Sequence, residues 1–205
     1  MLKSIFVYII AMCVYVGATA QDFEGIIEMT QETANGLKYD LKWFIKKDQI
    51  AYEISSTSAR SAQTQLRFVP QPKKNTMLMI THSDQGDNKS EIATTDITAP
   101  PGFNFDDVTI EEGEESSSDD FKKIQQLVVK NEKLSTEVDV TSDININFKE
   151  YAAYFKADYG IYALVKSGKK GFPLNSVTKD ALGNILSKTT LKSVKRMKVS
   201  DKYFQ

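Results

Sequence analysis

The chain has 205 residues, and 26 Lys and Arg stand against 27 Asp and Glu, which gives a formal net charge of −1. This balance argues against nucleic-acid binding and against strong attachment to anionic membranes, because both need a basic surface. A single His and a single Cys exclude the ligand sets of zinc sites, and no Gly-x-Ser-x-Gly elbow accompanies His82. We therefore expect no enzyme, no metal site and no cofactor.

The first 20 residues have the pattern of a secretory signal peptide. Lys3 is the charged n-region, residues 5–16 form an uninterrupted apolar h-region, and residues 18–20 (Ala-Thr-Ala) form the cleavage site. The h-region is too short to span a bilayer. The sequence therefore predicts an exported protein, periplasmic or extracellular, whose mature chain begins at Gln21.

Cys13 offers another interpretation, a lipoprotein signal, but Met12 stands where such a signal needs a small residue. Cleavage after Ala20 would leave a single domain over residues 21–205 with no cysteine and no apolar run that could cross a membrane. Removing Lys3 leaves 25 basic and 27 acidic residues, a net charge near −2.

The first part of the mature chain predicts an antiparallel meander. Residues 23–31 read as a strand, Asn35-Gly36 is a strong hairpin signal, and residues 37–46 and 49–55 form the next two strands. Residues 37–46 alternate clearly, with Leu37, Tyr39, Leu41, Trp43 and Ile45 on one face and Phe44 as the exception on the other. Three strands joined by short turns predict a sheet with one buried and one wet face.

Further strands are predicted at residues 65–69, 75–81 and 90–97, with a polar turn at 82–89. Oxygen ligands in and beside that turn (Asp84, Asp87, Asn88 and Glu91) could suggest calcium, but a solvated turn is the better interpretation. Residues 106–120 then hold eight acidic residues after the breaker Pro100-Pro101-Gly102. We expect a flexible, solubilising acidic loop at about 100–120, inserted within the single domain.

The last third of the chain adds strands and one helix. Residues 121–130 permit a short helix but favour a strand, and residues 134–141 alternate as a strand. Asn147 and Glu150 have capping-box spacing, which predicts a helix over residues 148–158 with Gly160 as its C′ residue. A stripe of side chains would face the core, namely Phe148, Tyr151, Ala152, Phe155 and Tyr159.

A final hairpin follows, with strands at residues 174–179 and 185–194 around a turn that contains Gly183-Asn184. The tail at residues 199–204 should fold its aromatic side chains back onto the sheet.

This C-terminal order resembles a family of secreted bacterial proteins of unknown function related to the lipoprotein-carrier (LolA/LppX-like) fold. The residues that carry the resemblance are Asp143-Ile-Asn-Ile-Asn-Phe148, the aromatic helix, Gly171-Phe-Pro-Leu174, the Gly183-Asn184 turn and Val199 with Phe204. The opening Asp22-Phe-Glu-Gly-Ile-Ile27 is similar too. The resemblance implies an α+β fold, a strongly curved antiparallel sheet forming a half-open barrel with a short helix on its concave side. Such folds hold acyl chains or other apolar ligands in the concavity.

The aromatic side chains are the candidate ligand-binding residues: Tyr39, Trp43, Tyr52, Phe68, Phe148, Tyr151 and Phe155. They could line a cavity together with the adaptable Met77 and Met79, which would make the protein a carrier of a lipid or another apolar ligand. They could equally fill the interior as a packed core. In that case the protein would be a structural or interaction module of the cell envelope that binds a protein partner through its sheet edges or acidic loop.

Overall fold

The computed structural model describes residues 23–47, 49–56, 65–84, 86–98, 107–156 and 158–205. The helical elements are the helix α1 (Tyr159–Ser167) and two single-turn 3-10 helices, Phe148–Tyr151 and Asp201–Phe204. The strands are β1 Glu24–Thr33, β2 Lys38–Lys46, β3 Gln49–Ser56, β4 Gln65–Gln71, β5 Thr76–Ser83, β6 Gly86–Ala93, β7 Thr109–Ser116, β8 Ile124–Lys130, β9 Leu134–Thr141, β10 Phe172–Asp180 and β11 Ile185–Arg196.

All eleven strands belong to one antiparallel sheet in the order β6-β5-β4-β3-β2-β1-β11-β10-β9-β8-β7. Each half of the sheet is a meander, and β1 joins the halves by pairing with β11, with Ile27 opposite Val194. The two edge strands, β6 and β7, do not pair with each other, so the sheet stays open.

The sheet curves strongly around one face. Trp43 of β2 and Phe172 of β10 have ring centroids 5.4 Å apart, although β1 and β11 separate these strands in the sheet. On the same side α1 packs against β9 and β10 through the fully buried Ile161 and Leu164. The predicted α+β half-barrel with a helix on its concave side is therefore confirmed.

A smaller core lies on the convex face beneath the C-terminal segment, residues 199–204. The ring of Phe44 stacks on Tyr203 with centroids 4.0 Å apart, and the Arg67 guanidinium lies 5.0 Å from the Tyr203 ring. Lys46 Nζ and Asp201 Oδ1 are 2.6 Å apart at the same place. The tail thus folds onto the sheet as predicted, which explains why an apolar residue interrupts the polar face of β2.

Arg67 is held beneath Tyr203 by a buried carboxylate. Glu53 is only 5% exposed, and its two oxygens accept hydrogen bonds from Arg67 Nε at 2.7 Å and Gln65 Nε2 at 2.6 Å. An unpaired carboxylate in this position would carry a large desolvation cost, so the three side chains depend on each other.

The predicted helix is misplaced along the chain. Residues 148–151 form only a 3-10 turn, in which Asn147 Nδ2 donates to Glu150 Oε1 at 2.8 Å without capping the backbone. The regular helix begins at Tyr159, because Asp158 Oδ1 accepts from the backbone N of Ile161 at 2.9 Å and acts as the N-cap. A short acidic side chain that bonds nearby backbone favours a helix start over a helix interior.

Gly160 therefore lies in the first turn of α1 and is not the C′ residue; Gly168, with φ of 69°, ends the helix instead. Lys156 contributes to the break before α1, since its Nζ donates to the carbonyl oxygens of Thr94 and Ile97 at 3.2 and 2.6 Å. These bonds attach the connection before α1 to the segment that follows β6.

The prediction of an acidic loop is wrong for Thr109–Ser116, which forms the edge strand β7. Lysines from neighbouring segments offset its charge: Lys130, Lys169 and Lys123 lie 2.6, 2.9 and 3.4 Å from Glu111, Glu112 and Glu115. Ile110 meanwhile packs against the rim of the core. Residues 99–106 lie outside the described chain, as do the predicted signal peptide at 1–20 and residues 57–64.

The polar turn predicted at 82–89 is shorter than expected, because β5 continues to Ser83 and β6 begins at Gly86. Strand β6 ends at Ala93, four residues earlier than predicted. Within the described residues, no helix has both the length and the apolar character needed to cross a bilayer.

We expect Tyr203→Ala to lower the free energy of unfolding by about 1–2 kcal/mol, because it removes an aromatic stack and a cation–π contact. Urea unfolding followed by circular dichroism measures this. Leu182→Ala is the matched control, since Leu182 is 88% exposed in the last hairpin turn and should contribute almost nothing. Equal stability of the two variants would mean that the C-terminal segment does not pack on the sheet.

A candidate apolar site in the concavity

A row of aromatic rings crosses the concave face of β2, β3 and β4. The strand register places Trp43 opposite Tyr52 and Tyr52 opposite Phe68. Both pairs stack with centroids 5.0 Å apart. Directly opposed cross-strand residues have neighbouring side chains, so this row follows from the alternation of three consecutive strands.

Rings from the other side of the half-barrel complete a concave aromatic cluster. Phe155 lies 5.6 Å from Trp43, 5.4 Å from Tyr52 and 6.0 Å from Phe148. Phe172 contacts Phe148 at 6.1 Å as well as Trp43. The cluster therefore comprises Trp43, Tyr52, Phe68, Phe148, Phe155 and Phe172.

The seven residues predicted from the sequence all lie in or against this one core. Tyr151 contacts Phe148 at 6.4 Å beside the cluster, and Tyr39 packs against the rim of the same core, farther along β2. The sequence reasoning missed Phe172. Its signal was present in Gly171-Phe172-Pro173 at the start of a strand, but only the curvature of the sheet brings it to Trp43.

The interior between helix and sheet is filled. Trp43, Phe148 and Phe155 are 4%, 1% and 7% exposed. The cavity among Met29, Trp43, Asp158 and neighbouring side chains measures about 20 Å³, the size of a water molecule rather than an acyl chain. Within the described residues, Trp43 Nε1 has no hydrogen-bond partner. The cluster is thus a packed core with one buried donor that a ligand atom could meet.

An open groove of about 480 Å³ lies at one end of the half-barrel. Its floor includes Ile50 and Tyr151 from the concave core and Val69 from the convex core, so both cores reach the surface here. The volume lies within the range of small-ligand sites. The lining consists of Gln49, Ile50, Val69, Pro70, Gln71, Pro72, Lys73, Lys74, Glu150, Tyr151 and Phe204.

Asp158 is an acidic group beside the cluster, since it lines the small cavity together with Trp43 and Phe172. The residue as a whole is half-buried, but its carboxyl group, which caps α1, is withdrawn from water, and this burial raises its pKa. Burial also raises the pKa of Tyr52, and the charge of Asp158 adds to that shift. Both shifts have the direction expected beside an apolar core, where burial disfavours the charged form.

The remaining sites considered from the sequence lie elsewhere. His82 is paired with Asp87, with Nδ1 and Oδ1 2.7 Å apart, and only 22% of its side chain is exposed. Across the part of the chain that the structure describes, no group of His, Cys, Asp or Glu is arranged to hold a metal ion.

The fold and the site define a class of protein, an α+β half-barrel with an aromatic concave face. The chain belongs to the family described as domain of unknown function DUF4412, whose model matches residues 23–205. The family predicted from the sequence is thereby confirmed. None of the curated proteins compared with the chain matches it.

Three solved structures are similar to this chain at low identity. An uncharacterised conserved protein from Thermus thermophilus has a TM-score of 0.50 at 8% identity, covering 90% of this chain and 85% of its own. PNGF-II has a TM-score of 0.47 at 12% identity, covering 89% and 30%. A domain assigned to outer membrane lipoprotein sorting from Vibrio parahaemolyticus has a TM-score of 0.42 at 8% identity, covering 89% of each chain. The Thermus protein shows a shared fold and nothing about a ligand.

The raised pKa of Asp158 gives a testable pH dependence. Its pKa in the folded state lies above the ordinary value of 3.8, so the folded state binds more protons between the two values. The buried carboxylate therefore destabilises the folded state fully when the pH is above the folded-state pKa. This destabilisation decreases as the pH falls through that pKa and the carboxyl group becomes protonated. Asp158→Asn keeps a good N-cap without a charge.

We expect Asp158→Asn to exceed the wild type in free energy of unfolding most at neutral pH, and this difference should shrink toward about pH 4. Urea unfolding across that range measures it. Asp158→Ala is the control, because it removes the charge and the cap together and should therefore be about 1 kcal/mol less stable than Asp158→Asn. A constant difference between wild type and Asp158→Asn at all pH values would contradict the raised pKa.

Proposed function

We propose that this protein is an exported, non-enzymatic protein that holds an apolar ligand, such as a lipid acyl chain, in the concavity of the half-barrel. The observation that carries the proposal is the groove beside Ile50 and Tyr151. It opens at the surface and ends on side chains of the concave core. Tyr151 lines the groove and contacts Phe148 of the aromatic cluster, so it connects the two.

The concave aromatic cluster is covered by the 148–156 segment and by α1, and a ligand could displace the part of this cover next to the groove. Over the row of rings on β2, β3 and β4 the cover is Phe155, which follows the single-turn 3-10 helix Phe148–Tyr151. Helix α1 is a separate element that packs against β9 and β10 through its own buried side chains. Movement of the 148–156 segment would open the cluster while α1 stays in place.

Displacement of Phe155 would exchange one apolar contact for another. The rings of Trp43 and Tyr52 that pack on Phe155 would pack on the ligand instead, so the apolar area removed from water is largely retained. The chemistry of the cluster suits this role, since four of its six rings are phenylalanines without a polar atom.

Trp43 is the chain's one tryptophan and provides the test. We expect dibrominated stearate to quench its fluorescence on binding, because bromine quenches an indole that it contacts, whereas unbrominated stearate should bind without this quenching. Calorimetry with both acids confirms the binding itself. Binding without quenching would place the ligand away from the cluster, and no binding of either acid would overturn the proposal.

The filled interior favours a second candidate, a structural or interaction module of the cell envelope. Here the cluster is only a core, and the open edges β6 and β7 would receive a strand of a protein partner. The exposures of Trp43, Phe148 and Phe155, at 4%, 1% and 7%, are those of a packed core.

Phe155→Ala separates the two candidates. Loss of this packed ring should lower the free energy of unfolding by about 3–5 kcal/mol in either case. If the concavity is a ligand site, the new space beside Trp43 should also tighten the binding of stearate. A destabilised variant that still binds no stearate supports the interaction module, and an unchanged stability would show that Phe155 does not pack in the core.

A further inference from the structure

Two adjacent lysines stand at the mouth of the groove. Lys73 and Lys74 lie in the turn between β4 and β5, where the backbone N of Lys74 donates to the Gln71 carbonyl at 2.9 Å and that of Asn75 to the Pro72 carbonyl at 3.3 Å. Both lysines are exposed and both line the groove. The turn thus holds two ammonium groups above an apolar wall.

The charge at the mouth is positive on balance. Glu150 is the one acidic residue of the lining, and its Oε1 accepts a hydrogen bond from Asn147 Nδ2 at 2.8 Å. Lys74 Nζ lies 3.4 Å from Glu91 Oε1, but both side chains are more than half exposed, at 62% and 51%. An ion pair of this kind contributes little and gives way readily to a better partner.

Much of the rest of the groove lining is apolar. Val69 is 3% and Tyr151 is 7% exposed, and Pro70 and Phe204 complete this part of the lining. Lysine stems can lie along such a surface while their charged ends stay in water. The groove therefore combines an apolar floor with a cationic rim, which complements a molecule with an acidic head and an apolar chain.

We propose that the ligand is a single-chain anionic amphiphile, a long-chain carboxylate, whose acid group pairs with Lys73 and Lys74 while its chain follows the groove toward the aromatic cluster. This inference rests on the proposed function and adds the class of ligand to it. A single chain is indicated by the volume of about 480 Å³, in the lower part of the range for ligand sites.

The test compares laurate with dodecanol, which has the same chain length and no charge. Calorimetric titration of the wild-type mature chain should show binding of both, with laurate the tighter. In the double variant Lys73→Gln/Lys74→Gln, we expect laurate to bind about fivefold more weakly, as two exposed ion pairs would allow, and dodecanol to bind as before. Raised salt should weaken laurate binding to the wild type, and it should have little effect on the variant that lacks Lys73 and Lys74.

Lys122→Gln/Lys123→Gln is the matched control. It also removes two adjacent exposed lysines, and Lys123 Nζ lies 3.4 Å from Glu115, the separation found between Lys74 and Glu91. Lys122 and Lys123 lie outside the groove lining, so the affinity of this double variant for laurate should equal that of the wild type.

Each other outcome has a definite meaning. Equal loss of laurate affinity in both double variants would overturn the inference, since only the net charge would matter. If both ligands bind and the groove lysines have no effect on either, the pairing of the acid group with Lys73 and Lys74 is contradicted, whereas the apolar site is not. Binding of neither ligand by the wild type would overturn the proposed function itself. A phosphatidylglycerol that binds more tightly than laurate, with the same dependence on Lys73 and Lys74, would overturn the choice of a single chain.

Discussion

The pairing of β1 with β11 joins the beginning of the described chain to its end, and the rest of the half-barrel depends on it. Gly25 shows how close this approach is, because a Cβ there would lie 2.3 Å from the carbonyl oxygen of Lys195. A shift of register between Glu28 and Met29 then adjusts the two strands. Bulges of this kind increase the twist of a sheet, so the joint that connects the two meanders also helps to curve them.

The curvature gives the two faces of the sheet different roles. On the concave side Trp43 and Phe172 share one core, and on the convex side the C-terminal segment covers a smaller core around Phe44. Both cores emerge at the same end of the sheet, so the groove receives apolar walls from each. A cavity of about 20 Å³ admits no chain, so binding in the concavity requires a change of conformation. The 3-10 turn and the connection before α1 adjoin the groove and are the least regular part of the cover.

Local patterns in the sequence determined most of the strands and much of the candidate site. Alternation along β2 and β3, with a short turn between them, was enough to place Tyr39, Trp43 and Tyr52 on one face, and alternation along the next predicted strand added Phe68. The hairpin signal at Gly183-Asn184 likewise predicted the last two strands. These features depend on neighbours in the chain, which is why sequence reasoning reached them.

The tertiary structure decided what depends on distant partners. The stripe from Phe148 to Tyr159 is compatible with one helix. The helix nevertheless begins only at Tyr159, because Asp158 caps it there and Lys156 is bonded to the Ile97 carbonyl oxygen. The acidic β7 is a strand because it pairs with β8 along the sheet edge, and lysines from β8 and from the loop after α1 lie beside its carboxylates. Phe172 joins the cluster, and the groove exists, only because the sheet curves. Apart from the local cap of Asp158, these contacts join residues far apart in the chain, and periodicity within a single segment carries no information about them.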